Sequence, residues 1–256
     1  MNKLYIQLVT MLIISASCGR KEIKITELQD LNDKRIYVLT GSAGDLMTRE
    51  RFPDADIVDI ETATDAAYNV KMGNADAFIF DYEVLHSIEE KYADLVLLQE
   101  PAAKVDIAIA FEKQQKQLSD EVNRALQQLE KDGTIAAMNS KWINPGYEEV
   151  PELPAIDPEK FEETLKVGIS ADAEPMMFAA NNIITGFDME LILRIAKIFE
   201  KDVEIVNMDF GTLIMALQSG KIDFAISNFN ITKERKEFVR FSEPYLKQDI
   251  SVLVRK

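Results

Sequence analysis

Twice in this chain a helix-like run closes on a glycine, an aspartate follows three residues later, and a buried strand begins. The first instance is Lys71-Met72-Gly73-Asn74-Ala75-Asp76-Ala77-Phe78-Ile79. The second is Gln218-Ser219-Gly220-Lys221-Ile222-Asp223-Phe224-Ala225-Ile226. Glycine in this place supplies a left-handed helix cap, and the apolar run after the aspartate reads as a strand covered on both faces. One device used twice implies two similar sheets, hence two lobes. The rest of the two parts does not match well enough to be a sequence repeat.

The pattern around these anchors alternates strand and helix at short spacing. Strands are expected at 35–40, 56–60, 77–80, 95–99 and 106–111, with helices at 45–51, 64–72, 82–91, 118–131 and a last one ending at Trp142. Residues 144–158 carry four prolines and several acids without periodicity, and read as a linker. Alternation then resumes, with strands at 165–169, 203–208, 222–227 and 250–254 and helices at 188–200, 212–219 and 232–238. This order predicts an α/β fold with mostly parallel sheets.

The N-terminus reads Met-Asn-Lys, an apolar run over 4–14, then Ser15-Ala16-Ser17-Cys18. That is the build of a secretory signal, and the run is about half the ~20 residues that a membrane-spanning helix needs. The only cysteine lies where the small residues end, as in a lipobox, so Cys18 is the expected lipidation site and 1–17 the expected signal peptide. A lone cysteine excludes an internal disulfide. The formal net charge is −15, and losing Lys3 with the leader makes it one unit more negative. Phosphate binding needs a basic footprint, so no nucleic-acid partner is expected.

Residues 207–223 (NMDFGTLIMALQSGKID), Ser227-Asn228-Phe229-Asn230-Ile231-Thr232-Lys233-Glu234-Arg235 and Phe241-Ser242-Glu243-Pro244-Tyr245 resemble the first lobe of the family 3 extracellular solute-binding proteins, as does Gly186-Phe187-Asp188. Thr40-Gly41-Ser42-Ala43-Gly44 and Asp76-Ala77-Phe78-Ile79-Phe80-Asp81 resemble the second lobe, and 131–142 the family's C-terminal segment. The resemblance covers nearly all of the chain after the leader. It implies the type II periplasmic-binding-protein fold, with two lobes joined by a hinge, and a ligand such as a polar amino acid delivered to an ABC importer. The order of the pieces is rotated: lobe 2 comes first, then the return segment, then the linker, then lobe 1. Each piece occurs once, which suggests circular permutation with the join at the linker, tolerable because domain termini commonly lie near each other at the surface. The expected organisation is a tether at 18–33, lobe 2 at 34–105, a hinge crossing and return segment of lobe 1 at 106–143, the linker at 144–161 and lobe 1 at 162–256. A single covalent crossing near 106–111 follows from this order, and with it a looser hinge.

A free amino acid presents a carboxylate and an ammonium a few ångströms apart. Arginine suits the first through its forked guanidinium, aspartate suits the second, and backbone N–H groups at a helix start add donors. The resemblance implies that Arg235 takes the carboxylate and Asp81 the ammonium. It implies further that Asn228 and Asn230 surround the carboxylate, that the Ser42-Ala43 turn donates from its N–H groups, and that Phe210 packs on the ligand's side chain. Ser170, at the end of the first strand of the C-terminal part, completes the set. Where the family carries aromatic residues after that strand, this chain has Ala173 and Met176, which changes one wall of the side-chain pocket.

A lipid-anchored monomer at the periplasmic face of the cell envelope, without cofactor, metal or catalytic residues, is therefore expected. A ligand-sensing module for a membrane partner would use the same site. A solute-binding-fold enzyme such as a periplasmic dehydratase is the remaining alternative, against which stand a sole histidine, His86, and no nucleophile motif near it.

Overall fold

The computed structural model describes residues 24–143, 149–154 and 161–256. Cys18, the leader and parts of the linker lie outside them. The chain forms two α/β lobes, each built on its own sheet.

The first sheet contains β1 (Arg35–Leu39), β2 (Asp56–Ile60), β3 (Ala77–Asp81), β4 (Leu95–Leu97), β5 (Ala103–Ile107) and β14 (Leu246–Arg255). Its order is β2-β1-β3-β14-β4, with β5 also on β14. The β1, β2 and β3 strands run parallel, and β14 is antiparallel to β3, β4 and β5. Helices α1 (Ala43–Arg51), α2 (Ala63–Met72) and α3 (Tyr82–Lys91) complete this lobe. All five residues of β3 are buried because both faces are covered. Ala77 and Ile79 enter one apolar cluster, Phe78 and Phe80 the other, as period-two alternation requires.

The second sheet has the order β11-β7-β12-β6-β13. Its strands are β6 (Ala110–Glu112), β7 (Thr164–Ile169), β11 (Asp202–Asn207), β12 (Phe224–Ala225) and β13 (Val239–Phe241). Around it lie α4 (Lys116–Lys131), α5 (Thr134–Trp142), α6 (Phe187–Phe199), α7 (Leu213–Gln218) and α8 (Lys233–Phe238). A small sheet of β8 (Asp172–Ala173), β9 (Met177–Ala180) and β10 (Ile183–Thr185) projects from this lobe. The strand expected at 106–111 is divided: β5 belongs to one lobe and β6 to the other.

Both expected glycine caps are present. Gly73 caps α2 at φ +77°, and Gly220 follows α7 at φ +67°. In each lobe the aspartate after the glycine takes a backbone N–H at the start of the neighbouring strand: Asp76 from Arg35 at 2.9 Å and Asp223 from Lys166 at 2.7 Å. The repeated device thus pins the first strand of each sheet to the strand beside it.

The return segment is fastened by Glu190 of α6, which is 1% exposed. It accepts from Lys141 Nζ at 2.6 Å, from Trp142 Nε1 at 2.8 Å and from Arg194 Nε at 2.9 Å. Burial alone would raise this carboxyl, but the three donors outweigh it and hold it below the usual glutamate range.

One expectation fails. The chain crosses between lobes twice, at 107–110 and again at 241–246, because β14 lies in the first sheet between β3 and β4. Residues 246–255 therefore belong with lobe 2, although 162–256 was expected to be lobe 1. The two crossings also bond to each other. Ser242 N donates to Ile109 O at 2.9 Å, Tyr245 N to Ile107 O at 3.0 Å, and Ile109 N to Ser242 Oγ at 3.0 Å. A paired hinge of this kind removes the ground for a looser one. The sequence of β14 carries no mark of which sheet accepts it.

Candidate ligand-binding site

The site forms where the carboxyl ends of β3 and β12 face each other across the lobes, the usual place for a ligand in open α/β sheets. Asp81 closes β3. It stands at the N-cap position of α3 yet makes no side-chain cap bond. Its carboxylate instead reaches the other lobe, where Asn228 Nδ2 donates to Oδ2 and Asn230 Nδ2 to Oδ1, both at 2.7 Å. Burial pushes Asp81 up to about 7, against the opposing pull of the Asn230 hydrogen bond and the Arg235 charge.

Arg235 sits in the first turn of α8, a helix capped by Thr232, whose hydroxyl accepts from the Arg235 N–H at 3.2 Å. Its side chain does not lie at the surface beside Glu234 or Glu237; the residue is 4% exposed. The guanidinium donates through Nη1 to Asn230 O at 2.8 Å and through Nη2 to Gly41 O, on the opposite lobe, at 2.7 Å. It lies against Phe210 and Phe229, 5.1 and 4.9 Å from their ring centroids, in reach of cation–π attraction. Burial lowers Arg235 to about 10, with Asp81 and Glu234 opposing, so it remains a cation at neutral pH.

Asn228 holds a left-handed backbone at φ +51°, a conformation asparagine tolerates better than most residues. Its N–H donates to Asp188 Oδ2 at 2.7 Å, and Asp188 Oδ1 accepts from Tyr245 Oη at 2.7 Å. Burial raises Asp188 to about 7 while these two donors pull the other way. The segment is also tied to the first crossing through Ala108 N to Phe229 O at 2.9 Å and Ile231 N to Asp106 O at 2.8 Å. Ser42 caps α1, accepting from Asp45 N at 3.0 Å. Gly44 lets that helix close on β3, since a Cβ there would meet Ile79 O at 2.7 Å.

Between these groups lies a cavity of about 20 Å³ lined by Ser42, Asp81, Ser170, Phe210, Asn228 and Asn230, together with Leu39, Glu61, Phe80, Asp172, Ala173 and Ser227. Six of the eight sequence-predicted ligand residues thus meet in one place. Arg235 stands behind Asn230, and Ala43 is buried at the start of α1 outside the lining. Met176 is fully buried in the lobe core rather than on the wall, while Ala173 faces the cavity. The space is about that of one water, so a larger solute requires the lobes to part. A larger open pocket of about 620 Å³, lined in part by Tyr82, Glu83, Lys104 and Lys247, lies along the hinge strands and holds none of the predicted ligand residues.

Sequence reasoning passed over the clasp between the lobes. Asp172 of β8 accepts from Ala63 N, at the N-terminus of α2, at 2.7 Å and from Thr64 Oγ1 at 3.4 Å. Beside it Lys91 pairs with Glu174. A carboxylate at a helix N-terminus is favoured by the unpaired N–H groups and the dipole. The aspartate was visible after the first strand of lobe 1, but nothing local shows that a helix of the other lobe meets it.

Parts of the chain are similar in sequence to known proteins. The chain shares 37% identity over 92 residues with the arginine-binding extracellular protein ArtP of Bacillus subtilis, covering 36% of each chain. It shares 35% over 95 residues with the ABC transporter arginine-binding protein 1 of Escherichia coli, covering 37% of this chain and 39% of that one. These matches span little more than a third of the relatives' length. The arginine-bound form of domain 1 from TmArgBP is 40% identical, with 40% of this chain and 87% of that domain covered and a TM-score of 0.33. The family model for bacterial extracellular solute-binding proteins, family 3, matches residues 15–145 and 165–256. A match over so much of the chain, on a two-lobed α/β fold, shows that the chain belongs to the family 3 bacterial extracellular solute-binding proteins.

Proposed function

We propose that this protein captures a free amino acid between its lobes and presents the closed, loaded form to an ABC-type importer, held to a membrane through lipid on Cys18. The observation that carries the reading is the convergence of a buried arginine and a buried aspartate from opposite lobes, Arg235 and Asp81, around two asparagine amides. The carboxylate of an amino acid matches the first and its ammonium the second. A ligand touching both favours the closed arrangement by its differential contacts. Glu61 and Asp172 also line the cavity, with no lysine or arginine in its lining among the described residues, so a cationic side chain such as that of arginine fits the remaining wall. Circular permutation belongs to the same reading, supported by a family match that breaks at 146–164, around the linker.

The test is thermal unfolding of the 19–256 protein against the twenty standard amino acids one at a time. A ligand at 100 times its Kd adds about 2.7 kcal/mol of stability, a shift of several degrees in the midpoint. A shift with a basic amino acid, abolished in both Arg235→Ala and Asp81→Ala, is the expected result. No shift with any amino acid, in protein that unfolds cooperatively, would overturn the assignment of ligand class.

A further inference from the structure

Gln248 lies on β14 just beyond the second hinge crossing. The antiparallel register of β14 on β3 sets Ile250 opposite Asp81, so Gln248, two positions along, projects from the same face as Asp81. The residue is 6% exposed. Its Nε2 donates to Asn228 Oδ1 at 2.8 Å, while its Oε1 is buried without a hydrogen-bond partner among the described residues. The orientation of the amide is fixed from the other end. Asp81 as a carboxylate only accepts, so Asn228 must present its nitrogen to Asp81 and its oxygen to Gln248. A buried acceptor left in this state destabilises the fold, and this one is retained beside the ligand site.

A ligand ammonium at Asp81 competes with the two amides that now occupy both carboxylate oxygens. If Asn228 yields Oδ2, its Nδ2 becomes a buried donor in need of an acceptor, and Gln248 already holds the other end of the same amide. We propose that Gln248 is a positioning residue of the ligand site, taking up the Asn228 amide when the ligand takes Asp81. The product is a reciprocal amide pair, with Gln248 Nε2 donating to Asn228 Oδ1 and Asn228 Nδ2 donating to Gln248 Oε1. One hydrogen bond replaces another, the orphaned acceptor is satisfied, and Asp81 Oδ2 is freed while Asn230 keeps its bond to Oδ1. This rests on the amino-acid reading of the site.

Gln248→Met keeps the length and apolar stem of the side chain and removes both polar atoms; Gln248→Leu is the second variant should the first fold poorly. The probes are the twenty standard L-amino acids, with Kd measured by calorimetry for whichever binds the unmodified protein. The expected result is affinity weakened by about tenfold, the equivalent of one lost hydrogen bond, with the ligand-free unfolding midpoint close to that of the unmodified protein, because Asn228 Oδ1 replaces Gln248 Oε1 as the unmatched acceptor. In an Asn228→Ala background the same substitution should change Kd by less than about twofold, because Gln248 acts through Asn228 and the two residues in contact are coupled. Unchanged affinity in Gln248→Met, or an equal loss with and without Asn228, would overturn the inference and leave the ligand class standing. Failure of all twenty to bind the unmodified protein would remove both.

Discussion

Asn228 of one lobe donates its side-chain amide to the Asp81 carboxylate of the other at 2.7 Å, although the two are separated by 147 positions in the chain. This bond and its twin from Asn230 close the cleft with the groups that an amino acid would use. In the proposed binding mode the protein's own amides hold the place of the ligand's ammonium, binding is an exchange of partners at Asp81, and its strength depends on the charge of that carboxyl.

Affinity for an amino acid should fall with acid. The ammonium pairs with ionised Asp81, and burial has raised Asp81 to about 7. Once the pH drops below that value, each further unit protonates the free site and weakens binding by about tenfold. Calorimetric Kd values between pH 5 and 8 measure this directly. A flat profile across the range would show that Asp81 does not hold the ammonium.

Stability of the ligand-free protein should move in the opposite sense. Asp81 and Asp188 both have folded values near 7, above the ordinary aspartate value near 3.9. The folded state therefore binds protons more tightly than the unfolded chain. The stabilisation is complete below about pH 4 and is lost as pH rises through about 7. Asp188→Asn should flatten part of the slope of midpoint against pH, since it removes one of the two groups while keeping an acceptor for Tyr245. An unaltered slope in that variant would assign the effect elsewhere.

The clasp at the mouth of the cleft should set how far the lobes stand closed. Asp172→Asn removes the charge that faces the α2 N-terminus, worth about 0.3–1 kcal/mol in such a position. Lys91→Ala removes the neighbouring pair with Glu174. Together they should enlarge the radius of gyration of the ligand-free protein in X-ray scattering and weaken amino-acid binding by a few-fold. The double variant scattering like the unmodified protein would mean that the clasp contributes nothing to closure.

Glu190→Ala should be among the most damaging single changes outside the cleft. It removes the acceptor shared by Lys141, Arg194 and Trp142 Nε1. Both cations are about a third exposed and can turn to water, so the cost is that of the lost hydrogen bonds to a charged group, about 1.5–3 kcal/mol. Urea unfolding should show the midpoint falling sharply at constant m-value, whereas Glu204→Ala, on a half-exposed pair with Lys166, should leave it within about 0.5 kcal/mol.

Local signals in the chain determined most of its elements. Thr62 and Thr232 are the caps of α2 and α8, and Gly73 is the left-handed stop of α2. Strand β3 reads as buried on both faces because its four consecutive residues Ala77 to Phe80 are all apolar. The motif residues Asp81, Asn228, Asn230, Ser42, Phe210 and Ser170 were legible as a group through the family resemblance of the segments that carry them. The tertiary structure alone decided which sheet receives β14, that two crossings pair into one hinge, and that Asp172 meets the start of α2. It also decided that Gln248 carries an unmatched oxygen beside Asn228. The reason is physical: caps, periodicity and turns are satisfied within a few residues, whereas strand partners, cross-lobe bonds and the orphaned acceptor depend on groups from 20 to well over a hundred positions away that share no local pattern.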